Sequence, residues 1–193
     1  MIDLDSQKEH FKNHVAKFAD YGNIKILDFA EPDTNHYRIR FLFEEDHYKL
    51  HISGDLGHLI ASNYRNMTWS GFSDYVNNTG YFAEKIDCAD RPLYVYDEDE
   101  AAKELKDIIT DYIDEDSLGD SSNIEEQIQS ILKGFSPDSG ISESGADMLL
   151  QIDSDSWEYV NNIGKQQTGI LDLYMLAFKL AKEQLGDKES DAA

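Results

Sequence analysis

"HYRIRFLFEEDHYKLHISGDLGHLIASN", His36 to Asn63, decides the fold of this chain. Tyr37, Ile39, Phe41 and Phe43 fall on alternate positions, as do Tyr48, Leu50 and Ile52, and a third run, "GHLIASNY", follows. A period of two is the signature of half-buried strands. The breaks between them, Glu45-Asp46 and Gly54-Asp55-Leu56-Gly57, are turn chemistry. Short polar turns between alternating runs join antiparallel neighbours.

Upstream, "NIKILDFAEP" alternates in the same way, with Ile24 and Ile26 on one face, and ends at Pro32-Asp33. Ahead of it, "SQKEHFKNHVAKFAD" places Ser6 and Glu9 at capping-box spacing. Phe11, Val15, Phe18 and Ala19 follow at helical intervals, and Gly22 closes the segment. The reading is a meander of three to four antiparallel strands with the first helix covering one face. Downstream, Thr68 caps a short helix with Trp69, Phe72 and Tyr75 inward, "TGYFAEKI" forms another, and "RPLYVYD" forms one short strand. From Asp97 the pattern is helical: Asp97 to about Ile113, a helix capped at Ser122 or Asn123 and stopped by Gly134, two shorter pieces, and "TGILDLYMLAFKLAKEQLG" with Thr168 as cap and Gly186 as stop. The expected class is α+β, a small antiparallel sheet with helices on one face followed by an acidic, mostly helical C-terminal half. The expected division is 1–96 as the α+β domain, 97–186 as the acidic helical region packed on it, and 187–193 as a disordered tail.

Charge is the strongest departure from an average chain. The net charge is −22. Residues 1–86 hold 13 acids and 9 bases, residues 87–160 hold 21 acids and 4 bases, and residues 161–193 hold 5 and 4. Such a field repels nucleic acid and anionic membranes and attracts basic surfaces. Direct DNA binding is not expected, because it needs Lys and Arg against phosphate. No run is long and apolar enough to span a bilayer, and "MIDLDSQKEH" has no signal-peptide pattern, so a cytoplasmic protein is expected. Cys88 is the one cysteine, which leaves no disulfide framework and no Cys-based zinc site.

The acidic middle resolves on a helical wheel. At 100° per residue, Glu100, Glu104, Asp107, Asp111 and Asp114 share a stripe about 80° wide, while Leu105, Ile108, Ile109 and Tyr112 cluster apart from it. Like charges three and four apart cost helix stability, so a role outside folding is the better account of the stripe. The candidate partner-binding set is Glu98, Asp99, Glu100, Glu104, Asp107, Asp111, Asp114, Glu115, Asp116, Glu125 and Glu126. The plainer account is a solvated helix face with Lys103 pairing Glu100 and Asp107.

Other constellations are weaker. His47, His51 and His58 lie near Asp46 and Asp55, but Lys49 stands between the first two on one strand face, and a polar sheet face is the preferred reading. Ser53-Gly54-Asp55 has no nucleophile-elbow pattern around it. Gly54 and Gly57 are followed by no helix start that would cradle a phosphate, and read as hairpin glycines. No catalytic motif, cofactor or metal is expected.

The run from His36 to Asn63 with "FSDYVNNTGYFAEKIDC" resembles a family of uncharacterised proteins from phages and prophages. The resemblance rests on Gly54, Asp55 and Gly57 in a Gly-Asp-x-Gly turn, on Tyr81, Phe82 and Lys85 in a Tyr-Phe-x-x-Lys helix, and on Cys88, and continues to "LYMLAFKLAKEQL". It covers about two thirds of the chain, and departs from the family in carrying more acid after Cys88. The resemblance implies a mobile genetic element as source and no established catalytic residues. In charge and size the chain also resembles acidic anti-CRISPR-type inhibitors. The resulting expectation is an inhibitor of a basic nucleic-acid-binding defence protein, such as a Cas9-type effector or its guide-RNA complex, acting through acidic charge mimicry. The alternatives are a metal-dependent nuclease or RNA-modifying enzyme using Asp55, Glu84 and Asp87, and a phage structural or regulatory protein whose helical half forms a homodimer or partner surface.

Overall fold

The computed structural model describes residues 3–112 and 121–190. In chain order the elements are α1 (Leu4–Lys8), β1 (Val15–Asp20), β2 (Ile24–Ala30), β3 (Ile39–Glu44), β4 (Lys49–Gly54) and β5 (Gly57–Ser62). They continue with α2 (Thr79–Ala83), β6 (Ile86–Ala89), β7 (Tyr94–Tyr96), α3 (Glu98–Tyr112), α4 (Ser121–Ile131), α5 (Glu143–Ile152), β8 (Lys165–Gln167) and α6 (Ile170–Ser190). The chain forms two compact units, one of Met1–Leu93 with Thr168–Ala193 and one of Tyr94–Gln167.

The first unit is built on a six-stranded antiparallel meander, β1 to β6 in sequence order. The four strands read from the sequence are there, with Ile39, Phe41 and Phe43 of β3, Leu50 and Ile52 of β4, and Leu59 and Ala61 of β5 on the buried face. On β2 the buried face belongs to Leu27 and Phe29, which lie opposite Phe41 and Ile39. Ile24 and Ile26 occupy the other, half-covered face. Two further strands were not expected: one comes from a segment read as helix, and the other starts at the last residue of the expected helix over 79–86. Val15–Asp20 is the edge strand β1, and Ile86–Ala89 pairs with β5 as β6.

The expected helix over residues 6–20 therefore ends early. Its cap is Asp3, whose side chain accepts the Asp5 N–H, and Ser6 instead donates its hydroxyl to the Asp3 carbonyl. After a 3-10 turn at Glu9–Phe11 the chain reverses into β1, where Ala16 is buried opposite Phe29. Phe11, Val15 and Phe18 fit a helical period, but Ala16 and Phe18 fit a strand as well, and pairing with β2 decides between them. A covalently distant residue completes this edge. Gln184 of α6 donates its amide to the His14 carbonyl at 2.8 Å and accepts the Ala16 N–H at 3.1 Å. Those two bonds occupy main-chain groups that an edge strand otherwise leaves open.

The helix that covers the buried face is α6, not the first one. Tyr174, Ala177, Phe178 and Ala181 enter the same core as the strand residues, with Phe72 and Tyr75 of a 3-10 turn and Phe82 of α2. Phe178 is the hub, with ring centroids 5.4 Å from Phe41, 4.8 Å from Phe72 and 5.5 Å from Trp69. Thr168 does not cap α6: its hydroxyl donates to the Pro92 carbonyl at 3.0 Å. Gly186 does not stop it, since it keeps a negative φ and the helix runs on to Ser190. Glycine inside a helix costs about 1 kcal/mol, which a well-packed helix absorbs. Of the expected disordered tail, residues 191–193 lie outside the described residues.

The hairpin between β4 and β5 explains the glycines. Gly54 and Gly57 are register partners, and Gly54 has φ of 153°. A Cβ there would lie 1.9 Å from the Arg38 carbonyl oxygen, so no side chain fits. Asp55 accepts the Tyr37 N–H at 3.0 Å and donates its own N–H to the Arg38 carbonyl at 2.9 Å, which fastens the loop before β3.

The second unit has its own core. Ala101, Leu105 and Ile109 of α3 meet Ile124, Ile128 and Ile131 of α4, Leu149 of α5 and Ile163. Gly145 allows α5 to approach the end of α4, because a Cβ there would sit 2.1 Å from the Ile131 carbonyl oxygen. Both expected cap positions, Ser122 and Asn123, lie within α4. The strand "RPLYVYD" contributes β7, which pairs with the polar β8 in a two-stranded ribbon. Among the described residues no helix is long and apolar enough to cross a membrane.

Candidate functional site

The acid of the sequence is concentrated in the second unit. Its 74 residues, Tyr94–Gln167, hold 19 acids and 4 bases, against 20 acids and 13 bases in the rest of the chain. The helix expected to display the stripe exists as α3, capped by Asp97, whose carboxylate accepts the Glu100 N–H at 2.9 Å. Its buried side is Ala101, Leu105 and Ile109, with Ile108 partly covered. Tyr112, expected on that side, is 55% exposed.

The candidate acids divide by what they touch. Glu98 and Asp99 are exposed in the first turn, where the positive end of the helix dipole favours them whatever else they do. Glu100 receives the Lys103 ammonium at 2.6 Å, and that carboxylate raises the lysine above its ordinary value. Glu104 accepts the Gly164 N–H at 3.0 Å, while the Asp97 N–H donates to the Gly164 carbonyl at 2.8 Å. One tight loop is thereby stapled to α3 at two points. A Cβ on Gly164 would lie 2.6 Å from the Asp97 carbonyl oxygen, so this approach requires glycine.

Asp107 and Asp111 are exposed, and among the described residues neither has a cation within 4.0 Å. Glu125 and Glu126 are exposed on α4 in the same condition. They line a groove of about 990 Å³ with Ala102, Lys103, Lys106 and Ile128. Two of the four bases of this unit thus stand in the groove between α3 and α4. Asp114, Glu115 and Asp116 lie outside the described residues. Of the candidate acids beyond the first turn of α3, those left exposed with no cation within 4.0 Å among the described residues are Asp107 and Asp111 on α3 and Glu125 and Glu126 on α4. Asp107 also borders a smaller depression of about 290 Å³ with Glu104, Ile108, Tyr159 and Ile163.

A polar cluster that the sequence reading passed over lies beside this surface. Asp153 is 5% exposed and accepts the Tyr159 hydroxyl and, at 2.8 Å, the Asp155 N–H. The Tyr159 hydroxyl holds the Asp153 carboxyl below the usual carboxylate value, and the backbone donor adds to the effect. Burial, then Asp153, push the Tyr159 phenol up. "DSDSWEYV" reads as one more acidic loop, and only the tyrosine six residues beyond Asp153 hints at a pair. Trp157, in the same loop, is 66% exposed. Trp69 stacks on Phe18 at 4.3 Å, and Tyr159 is taken up with Asp153.

The carboxylates of the enzyme reading are scattered. Asp55 sits at the β4–β5 hairpin, Asp87 accepts the Ser62 hydroxyl at 3.0 Å beyond the other end of β5, and Glu84 faces Lys85. A strand of this length puts roughly 15 Å between Asp55 and Asp87. His47 is in the turn before β4, His51 is on its outer face near Glu44, and His58 is exposed on β5. Among the described residues no group of three or more His, Cys, Asp or Glu side chains is placed to hold a metal.

No family model matches the chain, and no curated protein or solved structure is significantly similar to it.

Proposed function

We propose that this protein inhibits a nucleic-acid-binding defence protein, with a Cas9-type effector or its guide-RNA complex as the fitting class of target, and that the second unit is the inhibitory surface. The observation that carries the reading is the exposed quartet Asp107, Asp111, Glu125 and Glu126 on two packed helices of a unit with 19 acids and 4 bases. Successive acids along α3 are separated by roughly 5 Å of helix rise, against about 3.4 Å per phosphate along one DNA strand. Charge at that spacing suits a channel lined with Arg and Lys. Each carboxylate that enters such a channel displaces counterions from the basic wall, which makes association fast and salt-dependent. Because the contact is spread over many charges, its loss on mutation is graded.

A displacement assay tests this. A labelled DNA duplex is bound to a basic effector such as Cas9 with its guide RNA, and the protein is titrated in. Release of the duplex by the wild type, and stepwise weaker release as Asp107, Asp111, Glu125 and Glu126 are changed to Asn or Gln, supports the proposal. Undiminished release by the fourfold variant, or no release from any basic effector, refutes it. An activity that needs a divalent metal and vanishes on one conservative substitution would favour the enzyme alternative.

A further inference from the structure

We propose that a cleft on the first unit, between α6 and the 3-10 turn at Phe72–Tyr75, is a binding site for a small organic carboxylate with an apolar body. The cleft is about 210 Å³ and is lined by Val76 and Phe178 together with Ser73, Asn77, Lys179, Lys182 and the acid Glu183.

Lys182 is the centre of the argument. Its ammonium donates to the Ser73 hydroxyl at 2.8 Å and lies 5.0 Å from the Trp69 ring centroid and 5.4 Å from that of Phe178. The two rings and the hydroxyl fix the position of the charge. Among the residues whose side chains are described, which on α6 end at Gly186, no carboxylate oxygen comes within 4.0 Å of it. Burial lowers the Lys182 ammonium below its usual value. An ammonium has three donors, and Ser73 takes one.

A carboxylate would supply the missing negative charge, with further donors from Lys179 and the Asn77 amide at the rim. Val76 would cover an apolar body. The volume admits a small molecule and not a peptide or nucleotide. This site is independent of the acidic surface and does not rest on its reading.

Benzoate is the probe, compared with benzyl alcohol and benzylammonium, which keep the ring and remove or invert the charge. Amide and side-chain NMR signals of Ser73, Asn77 and Lys182 are followed through titration into the millimolar range. The expected result is a saturable shift with benzoate, at least tenfold weaker binding of the alcohol and the ammonium, and at least tenfold loss of benzoate affinity in Lys182→Met. The wild-type comparison decides the matter even if Lys182→Met folds poorly. Equal binding of benzoate and benzyl alcohol, no saturation by benzoate, or a folded Lys182→Met variant with unchanged affinity would overturn the proposal and leave Lys182 as a strut between two rings.

Discussion

The Glu104 carboxylate accepts the backbone N–H of Gly164 at 3.0 Å, so one acid of the α3 stripe is part of the fold. Its neighbour on the stripe, Asp107, is exposed and has no cation within 4.0 Å among the described residues. The two are three residues apart and chemically alike, yet their contacts give them different work.

That difference is measurable. Glu104→Ala should destabilise the second unit by about 1 kcal/mol, the usual net worth of a lost hydrogen bond. Asp107→Asn and Asp111→Asn should change stability by no more than about 0.5 kcal/mol, or raise it slightly, because they relieve repulsion along the helix. Urea unfolding followed by circular dichroism checks all three. Target binding should order them the other way, with Asp107 and Asp111 mattering more.

A second prediction concerns pH. The Asp153 carboxyl is held low by the Tyr159 hydroxyl, so the stability it adds is present above the ordinary carboxylate value of 3.8 and is lost as pH falls through its lower folded value. Tyr159 is raised, so its contribution is present below the ordinary phenol value of 10.0 and is lost only in strong alkali. The second unit should therefore be least stable at both extremes. Tyr159→Phe should lower its melting temperature by several degrees at neutral pH and by less in acid, where Asp153 is already protonated. Equal losses at both pH values would contradict the pairing.

His14 carries the matching prediction for the first unit. It is 2% exposed, burial lowers its imidazole, and Nε2 lies 3.1 Å from the Tyr37 carbonyl while Nδ1 has no partner among the described residues. A lowered histidine favours the neutral form in the fold, so stability should decline as pH drops below the ordinary value of 6.5. His14→Gln should flatten the thermal stability of that unit between pH values on either side of this point.

Packing gives the largest expected effect. Phe178 meets Phe41, Phe43, Trp69 and Phe72, and Phe178→Ala should cost about 3–5 kcal/mol and shift chemical denaturation accordingly. Leu150→Ala, at a residue 46% exposed, should be nearly silent in the same experiment.

Much of this architecture is legible in the sequence where one physical signal dominates. β3 and β4 alternate cleanly because one face of each is buried, and Gly54 and Gly57 announce their hairpin because no Cβ fits. α3 is legible because its charge and its apolar residues have one period. The failures occur where two signals fit the same residues. Ala16 and Phe18 satisfy strand and helix alike, and only the partner strand β2 and the distant Gln184 decide. β6 and β8 are short and largely exposed, and their pairing is a long-range fact. The candidate surface was readable as a stripe, but not as a stripe with divided duties. Nothing local tells Glu104 that Gly164, sixty residues away, needs an acceptor.

The central claim is that the exposed acids of the second unit bind a basic nucleic-acid channel, and its most direct test is the salt dependence of that binding. The dissociation constant of the protein with a Cas9-type effector carrying its guide RNA is measured across a range of ionic strength, for the wild type and for Asp107→Asn, Asp111→Asn, Glu125→Gln and Glu126→Gln combined. The expected result is a linear fall of log affinity with log salt concentration, and a shallower slope for the combined variant. An affinity that is flat in salt, or a slope that the four substitutions leave unchanged, would contradict the account.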